Sequence, residues 1–219
     1  GCDKLDKVQF KDFIDGALEV CRQYGIALIG GETAEMRGIY QSGEVEVLGI
    51  LLGLVADSPV NGMDIKHGNW IYGISSNGAH TNGYTKLREI DARTEGGMPA
   101  DIKQFFSQPH KNYTGIVDTI SKIVRINGLA HITGGGFADN IERILPVSSD
   151  LRVEINRWEL APQWQWLYDH AGMDWNSFIR VFNAGYGFCI VVAEEISDDK
   201  LGLIREQIGE KLAVIGRIV

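Results

Sequence analysis

Short apolar runs alternate with segments of helical spacing from residue 69 to the end of the sequence. Short apolar runs favour strands, whereas apolar residues that recur every three or four positions favour helices. The predicted strands cover residues 69–75, 129–132, 151–155, 187–193 and 212–218, and the predicted helices cover residues 84–91, 113–124, 162–170, 175–180 and 198–208. This alternation predicts that the C-terminal part of the chain is an α/β domain.

The N-terminal part has a different pattern. Residues 10–24 carry apolar side chains at helical spacing, and Gly25 follows where a left-handed residue commonly ends a helix. We expect one face of this helix to pack against neighbouring structure. Strands are predicted at residues 26–29 and 44–56, and the second is apolar enough to be buried on both faces.

A turn-forming segment separates the two patterns. Residues 57–62 contain Pro59 and end in Asn-Gly, which are strong turn signals. We therefore predict two domains, residues 1–57 and residues 58–219.

One loop of the N-terminal part has the composition of a metal-nucleotide site. Apolar residues 27–29 are followed by two glycines and by three side chains that carry oxygen atoms: Gly30, Gly31, Glu32, Thr33 and Glu35. Glycines let a ligand approach the backbone, and carboxylates and hydroxyls are hard oxygen ligands that suit Mg²⁺. A tight turn with exposed acids explains the same residues equally well.

A second glycine-rich segment lies at residues 130–146. It reads as a strand, a turn at Gly134–Gly136, and a short helix that begins near Phe137. Free N–H groups and the positive dipole at a helix start favour a phosphate. The segment matches neither a Walker loop nor a dinucleotide fingerprint. A flexible strand-to-helix connection is the alternative.

Charge and composition limit the classes of function. The formal net charge is −8, which argues against nucleic acid as a partner. No apolar run has membrane-spanning length, and no signal peptide is visible, so we expect no membrane partner. The three cysteines have no metal-binding spacing, and we expect them to be reduced in a cytoplasmic protein.

Polar side chains in two further phrases are candidates for substrate contacts. His80 and Asn82 lie in a loop of small polar residues, and Arg180 and Asn183 precede a strand that we expect to be buried. A solvated loop explains His80 equally well, and an ion pair within the fold explains Arg180. The role of His110 stays open. The tryptophans at residues 158–175 have helical spacing that favours core packing over base stacking.

Four phrases in this order resemble the motif series of the phosphoribosylformylglycinamidine cyclo-ligase (aminoimidazole ribonucleotide synthetase) family. They are Gly-Gly-Glu-Thr-Ala-Glu-Met at 30–36, His-Thr-Asn-Gly-Tyr at 80–84, Ala-His-Ile-Thr-Gly-Gly-Gly at 130–136 and Arg-Val-Phe-Asn-Ala-Gly at 180–185. The resemblance implies an enzyme of purine biosynthesis in which ATP drives ring closure of formylglycinamidine ribonucleotide. ATP would phosphorylate the formamide oxygen, and the amidine nitrogen would then close the imidazole ring with loss of phosphate.

The resemblance also implies an architecture and a set of site residues. Residues 1–57 would be the C-terminal part of an N-terminal ATP-binding domain, followed by an α/β domain with a mixed sheet flanked by helices. It implies a homodimer that uses ATP and Mg²⁺, with Glu32 and Glu35 at the metal. Catalytic roles would fall to His80, Arg180 and Asn183. Nucleotide contacts would come from Gly30, Gly31, Glu32, Thr33, Glu35, Asn82, Gly83, Thr133, Gly134, Gly135 and Gly136.

The chain departs from the family pattern at several positions. Arg37 stands where proline is usual, and Thr81 and Thr85 replace serines. In Pro-His-Lys-Asn-Tyr at 109–113, His110 replaces a threonine of the family's phrase. The family's upstream Asp-Gly-Val-Gly-Thr-Lys phrase is absent, so we expect the chain to be a fragment of a longer protein, and its activity alone stays open.

Two alternative functions remain open. Thiamine-monophosphate kinase and selenophosphate synthetase share the ATP-binding architecture, although the Glu-Thr-Ala-Glu-Met continuation favours the cyclo-ligase. A non-catalytic nucleotide-binding paralogue is the other alternative.

Overall fold

A computed structural model describes residues 1–55, 58–80 and 82–219. The chain divides into two compact units, Gly1–Ala56 and Asp57–Val219. We refer to them as unit 1 and unit 2. Asp57, the first residue of the predicted turn, and Ala56, the last residue of the strand predicted before it, lie outside the described residues.

Unit 1 contains one helix, α1 (Lys7–Gln23), in its described part. The side chain of Asp6 caps its start by accepting hydrogen bonds from the N–H groups of Val8 and Gln9 at 2.8 and 3.2 Å. Gly25 has φ +65°, as a left-handed helix end requires. The predicted helix is confirmed. No residue of α1 is fully buried, but Ile14, Ala17, Leu18 and Cys21 on one face are half-buried, so the expected packing of that face is present only in part.

The two strands predicted in unit 1 are also wrong for its described residues. Among the described residues, 26–29 and 44–55 form no strand, and the second segment is exposed rather than buried. The pairings found in unit 1 are isolated bridges from Cys2 to Glu35 and to Val45, and from Arg37 to Tyr40. An apolar run becomes a strand only when a neighbouring chain segment completes its hydrogen-bonded ladder.

Unit 2 is built on a five-stranded sheet. Its strands are β1 (Trp70–Ser75), β2 (Ile126–His131), β3 (Val153–Ile155), β4 (Tyr186–Val192) and β5 (Leu212–Ile218). Their spatial order is β2-β4-β1-β5-β3, and all four pairings are antiparallel. The α/β class is therefore confirmed, but the expected mixed sheet is antiparallel. Alternation along the sequence does not specify which strands become neighbours, and here no consecutive strands are adjacent.

Seven helices in the described part of unit 2 flank this sheet. They are α2 (Tyr84–Arg93), α3 (Ala100–Phe106), α4 (Thr114–Ser121), α5 (Gly136–Glu142), α6 (Pro162–Ala171), α7 (Trp175–Val181) and α8 (Asp198–Ile208). The sequence predicts all of them except α3. None of the described helices is long and apolar enough to cross a membrane.

The strands of unit 2 separate two apolar layers. Ile71 and Val191 face a core shared with α2, α3, α5, α6 and α7, whereas Ile74 and Ile190 face a second core beneath α4 and α8. Side chains alternate between these faces with the period of two that a strand requires. The sheet is thus buried on both faces, and its loops are left to carry polar groups.

Aromatic side chains fill the larger core. Trp164 is 1% exposed and lies edge-on to Phe106 at 4.8 Å between ring centroids. Phe178 and Phe182 also pack against it, at 6.5 and 6.2 Å. Trp164 is therefore a core residue, as its helical spacing predicts, and not a stacking surface for a base.

We expect the Cys189 thiol to resist alkylation in the folded protein. Cys189 is 0% exposed on β4, and burial raises the pKa of its thiol because the thiolate would lose its solvation. The measurement is iodoacetamide labelling followed by peptide mass analysis, with and without denaturant. Cys21 is half-buried on α1 and serves as the internal control that labels without denaturant. Labelling of both thiols at equal rates in the native protein would contradict this expectation.

Candidate functional site

Three polar loops meet at one edge of the sheet in unit 2. We call this region the loop junction and define it as residues 76–80, 82–83, 133–136 and 180–185. Because β4 runs antiparallel to both β1 and β2, its start lies beside their ends. Ser75 pairs with Tyr186 at this edge, and His131 pairs with Phe188. The fold therefore gathers three of the four phrases singled out in the sequence.

Asn82 and Gly83 connect the first loop to the third. The Asn82 amide donates a hydrogen bond to the Val181 carbonyl at 2.8 Å. A Cβ at Gly83 would lie 2.6 Å from the Phe182 ring, and Gly83 also has φ +79°. This close approach requires glycine. Thr81, which belongs to the same phrase, lies outside the described residues.

Asn183 ties these two loops together from inside the fold. It is 3% exposed, and its amide donates to the Gly78 carbonyl at 2.8 Å. Its Oδ1 atom accepts hydrogen bonds from the Ser76 hydroxyl at 2.8 Å and from the Gly185 N–H at 3.1 Å. Both the NH₂ group and the oxygen of this buried amide are hydrogen-bonded, so the side chain holds its neighbours in one arrangement.

Two non-glycine residues of the loop junction adopt left-handed backbone conformations. His80 has φ +54° and Ala184 has φ +46°. Such conformations are unfavourable for residues with a Cβ atom and concentrate at functional sites. The strained positions lie on the two loops that Asn183 connects.

His80 is held as a neutral, buried imidazole. It is 1% exposed, its Nε2 atom lies 2.6 Å from Asn77 Oδ1, and its ring stacks on His110 with centroids 4.2 Å apart. Burial lowers the pKa of His80 to about 3, and His110, His131 and Lys111 add to the lowering through their positive charge. At neutral pH the ring therefore carries no charge.

The triple-glycine turn is braced by a buried side chain. Gly135 and Gly136 have φ values of +93° and +69°. The Asn140 amide group lies 3.3 Å from the carbonyls of Thr133 and Gly134 and 2.7 Å from that of Gly136. The turn is thus a fixed element rather than a flexible connection. Neither Asn140 nor Asn77 is singled out by the sequence.

Arg180 projects beside this turn. Its Cα atom would lie 2.6 Å from a Cβ at Gly136, and its side chain is exposed at the end of α7. Among the described residues no ion pair includes Arg180. An exposed guanidinium of this kind is suited to binding an anion.

The Pro-His-Lys-Asn-Tyr phrase is anchored to the end of β1. The Lys111 ammonium and the Tyr113 hydroxyl donate to the Ser75 carbonyl at 3.1 and 3.0 Å. Lys111 also pairs with Glu210 at 2.6 Å, and both side chains are largely buried. These contacts place His110 over His80.

The acidic loop belongs to unit 1 and is described by itself. Glu32 and Glu35 are exposed, and Glu35 accepts a hydrogen bond from the Leu5 N–H at 2.8 Å. A Cβ at Gly30 or Gly31 would meet no described atom within 4 Å, so the packing of the described residues does not require glycine there. Two accessible carboxylates form a donor set that fits Mg²⁺, which commonly takes one or two carboxylates together with phosphates and water.

Fold and loop junction together define an α/β domain with polar loops gathered at one end of a helix-covered sheet. Residues 66–219 match the family described as AIR synthase related protein, C-terminal domain. The chain belongs to this family, and the resemblance that the sequence motifs indicate is confirmed.

Several curated proteins with similar sequences have the same name. The phosphoribosylformylglycinamidine cyclo-ligases of Oceanobacillus iheyensis and Chromobacterium violaceum are 37% and 36% identical over 99% of this chain. The one from Oleidesulfovibrio alaskensis is 36% identical over 91% of the chain. The chain spans only 59% to 66% of the length of these relatives.

Two solved structures share the fold. The thiamine-monophosphate kinase of Stenotrophomonas maltophilia K279a superposes with a TM-score of 0.66 at 17% identity, covering all of this chain and 67% of the kinase. Protein tt0281 of Thermus thermophilus gives a TM-score of 0.59 at 16% identity, again over the whole chain and 66% of that protein. At these identities the likeness concerns the fold alone.

Proposed function

We propose that this chain is part of an ATP-dependent cyclo-ligase that converts formylglycinamidine ribonucleotide to aminoimidazole ribonucleotide. The observation that carries the proposal is the loop junction. Three phrases that resemble the cyclo-ligase motifs are distant in sequence, yet Asn82 and Asn183 connect the loops of the first and the last, and Gly136 of the middle phrase packs against Arg180 of the last. The names of the relatives support the same reaction.

The loop junction supplies groups suited to a phosphorylated, amide-rich substrate. Arg180 offers a guanidinium to a substrate phosphate beside the triple-glycine turn. His80, neutral, buried and held by Asn77, positions its loop beneath His110. Asn183 holds the loops in position, and catalysis then depends on alignment and on preorganised polar groups.

In the proposed reaction ATP transfers its γ-phosphoryl group to the formamide oxygen, and ADP leaves. The amidine nitrogen then attacks the activated carbon, the C–O bond breaks, and inorganic phosphate departs with the oxygen. Neutralising charge and aligning the two reactants are the main contributions of a protein to such phosphoryl transfer. We assign the ATP side of the reaction to the acidic loop of unit 1, where Glu32 and Glu35 would bind Mg²⁺ and Mg²⁺ would neutralise phosphate charge.

We further propose a cytoplasmic homodimer. Leu48, Ile50 and Leu54 are 84%, 81% and 103% exposed in unit 1, and a contiguous apolar segment of this kind marks an interaction surface. A second copy of the chain is the partner that the family resemblance implies. The three free cysteines fit a reducing compartment.

A turnover assay with the full-length gene product tests this function. We expect ADP, phosphate and an aminoimidazole product to form in equal amounts when ATP, Mg²⁺ and formylglycinamidine ribonucleotide are all present. Glu32→Gln should lower kcat/KM by about 10–100-fold, since weakening a metal site commonly has an effect of this size. Coupled ADP detection and colorimetry of the aromatic amine give the two readouts.

Glu19→Gln is the matched control, because Glu19 is an exposed acid on α1 outside the acidic loop. It should leave the turnover unchanged. ATP that stays intact with this substrate would support a non-catalytic paralogue, and ADP release with thiamine monophosphate instead would assign a kinase. Either result would overturn the proposal.

A further inference from the structure

Two histidine side chains face each other at the surface of unit 2, beside the loop junction. The Nε2 atoms of His110 and His131 are 2.8 Å apart, and their rings are inclined at 70°. One nitrogen from each of His80, His110 and His131 lies within 4.8 Å of the others. Within the described ranges this is the one group of three or more residues that is suited to metal binding.

Hydrogen bonding fixes the tautomer of His110. Its Nδ1 atom lies 2.6 Å from the Lys111 carbonyl, which can only accept, so Nδ1 carries the proton. In the neutral ring, the lone pair is then on Nε2, which accepts a hydrogen bond from His131 Nε2 at 2.8 Å. A metal ion would replace this hydrogen bond, and the His131 proton would move to its Nδ1 atom. Metal-binding histidines are commonly oriented in this way, with the second nitrogen donating to a carbonyl.

Ring packing holds both imidazoles in place. His80 stacks on His110 at 4.2 Å and is itself held by Asn77, so we regard it as a support for His110 rather than a ligand. His131 stacks on Phe188, with centroids 6.1 Å apart. The two imidazole rings are therefore largely ordered before a metal ion binds.

The surroundings leave room for a hydrated cation. His110 and His131 are exposed and line an open cavity of about 430 Å³ together with Tyr113 and Phe188. The nearest fixed cation, Lys111, is paired with Glu210 at 2.6 Å. Its charge is therefore largely compensated, which reduces its repulsion of a metal ion.

We propose that His110 and His131 bind a divalent transition-metal ion, best matched by Zn²⁺, through their Nε2 atoms, with water at the remaining positions. Two Zn–N bonds at a tetrahedral angle separate the nitrogens by about 3.3 Å. The pair has to open by only about 0.5 Å from its present separation. Imidazole nitrogen favours Zn²⁺, Cu²⁺ and Ni²⁺, whereas Mg²⁺ prefers oxygen. The site is therefore distinct from the Mg²⁺ site proposed in unit 1.

Calorimetric titration of the protein with Zn²⁺, and visible absorption on titration with Co²⁺, test the proposal. We expect binding of Zn²⁺ at this pair to weaken at least tenfold in His110→Thr and in His131→Gln. Threonine is the residue that the family pattern has at position 110, and His110 is exposed, so this variant should fold. Thermal unfolding of each variant without metal verifies that the fold is retained.

His170→Gln is the matched control. His170 is also exposed, with its Nδ1 atom 2.7 Å from the Trp166 carbonyl and its ring stacked on Trp166. The control variant should bind Zn²⁺ as the unaltered protein does, and millimolar Mg²⁺ should not compete. Zn²⁺ affinity that is the same in His110→Thr as in the unaltered protein would overturn the proposal, as would full displacement by Mg²⁺. Neither result depends on cyclo-ligase activity.

Discussion

Replacing Gly136 by alanine is expected to destabilise unit 2 by roughly 2–5 kcal/mol, combining left-handed strain of about 1–2 with overpacking of about 1–3. Gly136 has φ +69°, and a Cβ atom there would lie 2.0 Å from the Ile179 carbonyl oxygen and 2.6 Å from Arg180 Cα. Backbone atoms cannot move aside as a flexible side chain can, so α5 and α7 would have to separate. A loss of this size is a large share of the stability of a typical domain.

Urea unfolding monitored by tryptophan fluorescence measures this effect, because all five tryptophans lie in unit 2. Gly134→Ala is the matched control within the same turn. Gly134 has no positive φ, and its added Cβ would meet only Asn82 Oδ1 at 3.7 Å, an ordinary contact. The control should change the unfolding free energy by less than about 0.5 kcal/mol. Equal effects of the two substitutions would show that the close approach at Gly136 is not what constrains this turn.

Elements with local start and stop signals are predicted well from the sequence. Helix α8 has the predicted bounds because Ser197 and two acids mark its start and Gly209, at φ +65°, marks its end. Strand β5 also has the predicted bounds, with apolar positions on both faces. Helix α3 is not predicted, because its seven residues give a weak period and its start lacks both the glycine turn that precedes α5 and the side-chain cap of α7.

Features that depend on pairing between distant segments are not predicted. The apolar run at residues 44–55 has strand composition, yet whether it forms a strand depends on a partner for its backbone. The same limit applies to the site. Glycines at residues 134–136 indicate a turn, but the bracing of that turn by Asn140 and the meeting of His110 with His131 arise only from the tertiary fold.

Asn183→Asp is expected to destabilise unit 2 by about 3 kcal/mol, the scale for leaving a buried polar group mispaired when a charge is involved. The substitution keeps the size of the side chain but replaces the NH₂ donor by a carboxylate oxygen. That oxygen would face the Gly78 carbonyl, which now accepts a hydrogen bond at 2.8 Å. Two acceptors would then be opposed at a position that is 3% exposed. Urea unfolding at neutral pH gives the free-energy change.

Replacing a surface asparagine by aspartate shows how much of the effect on stability comes from the added charge alone and how much from its burial. Asn156 is exposed beside β3, so Asn156→Asp should alter stability by less than about 0.5 kcal/mol. Because the Asn183 NH₂ group ties the Gly78 carbonyl to the loop of residues 180–185, losing this donor should loosen both loops that carry the strained residues His80 and Ala184. Hydrogen exchange at residues 76–80 and 184–186 should therefore accelerate in Asn183→Asp and stay unchanged in Asn156→Asp. Unchanged exchange in both variants would mean that the loop junction is held by contacts other than this amide.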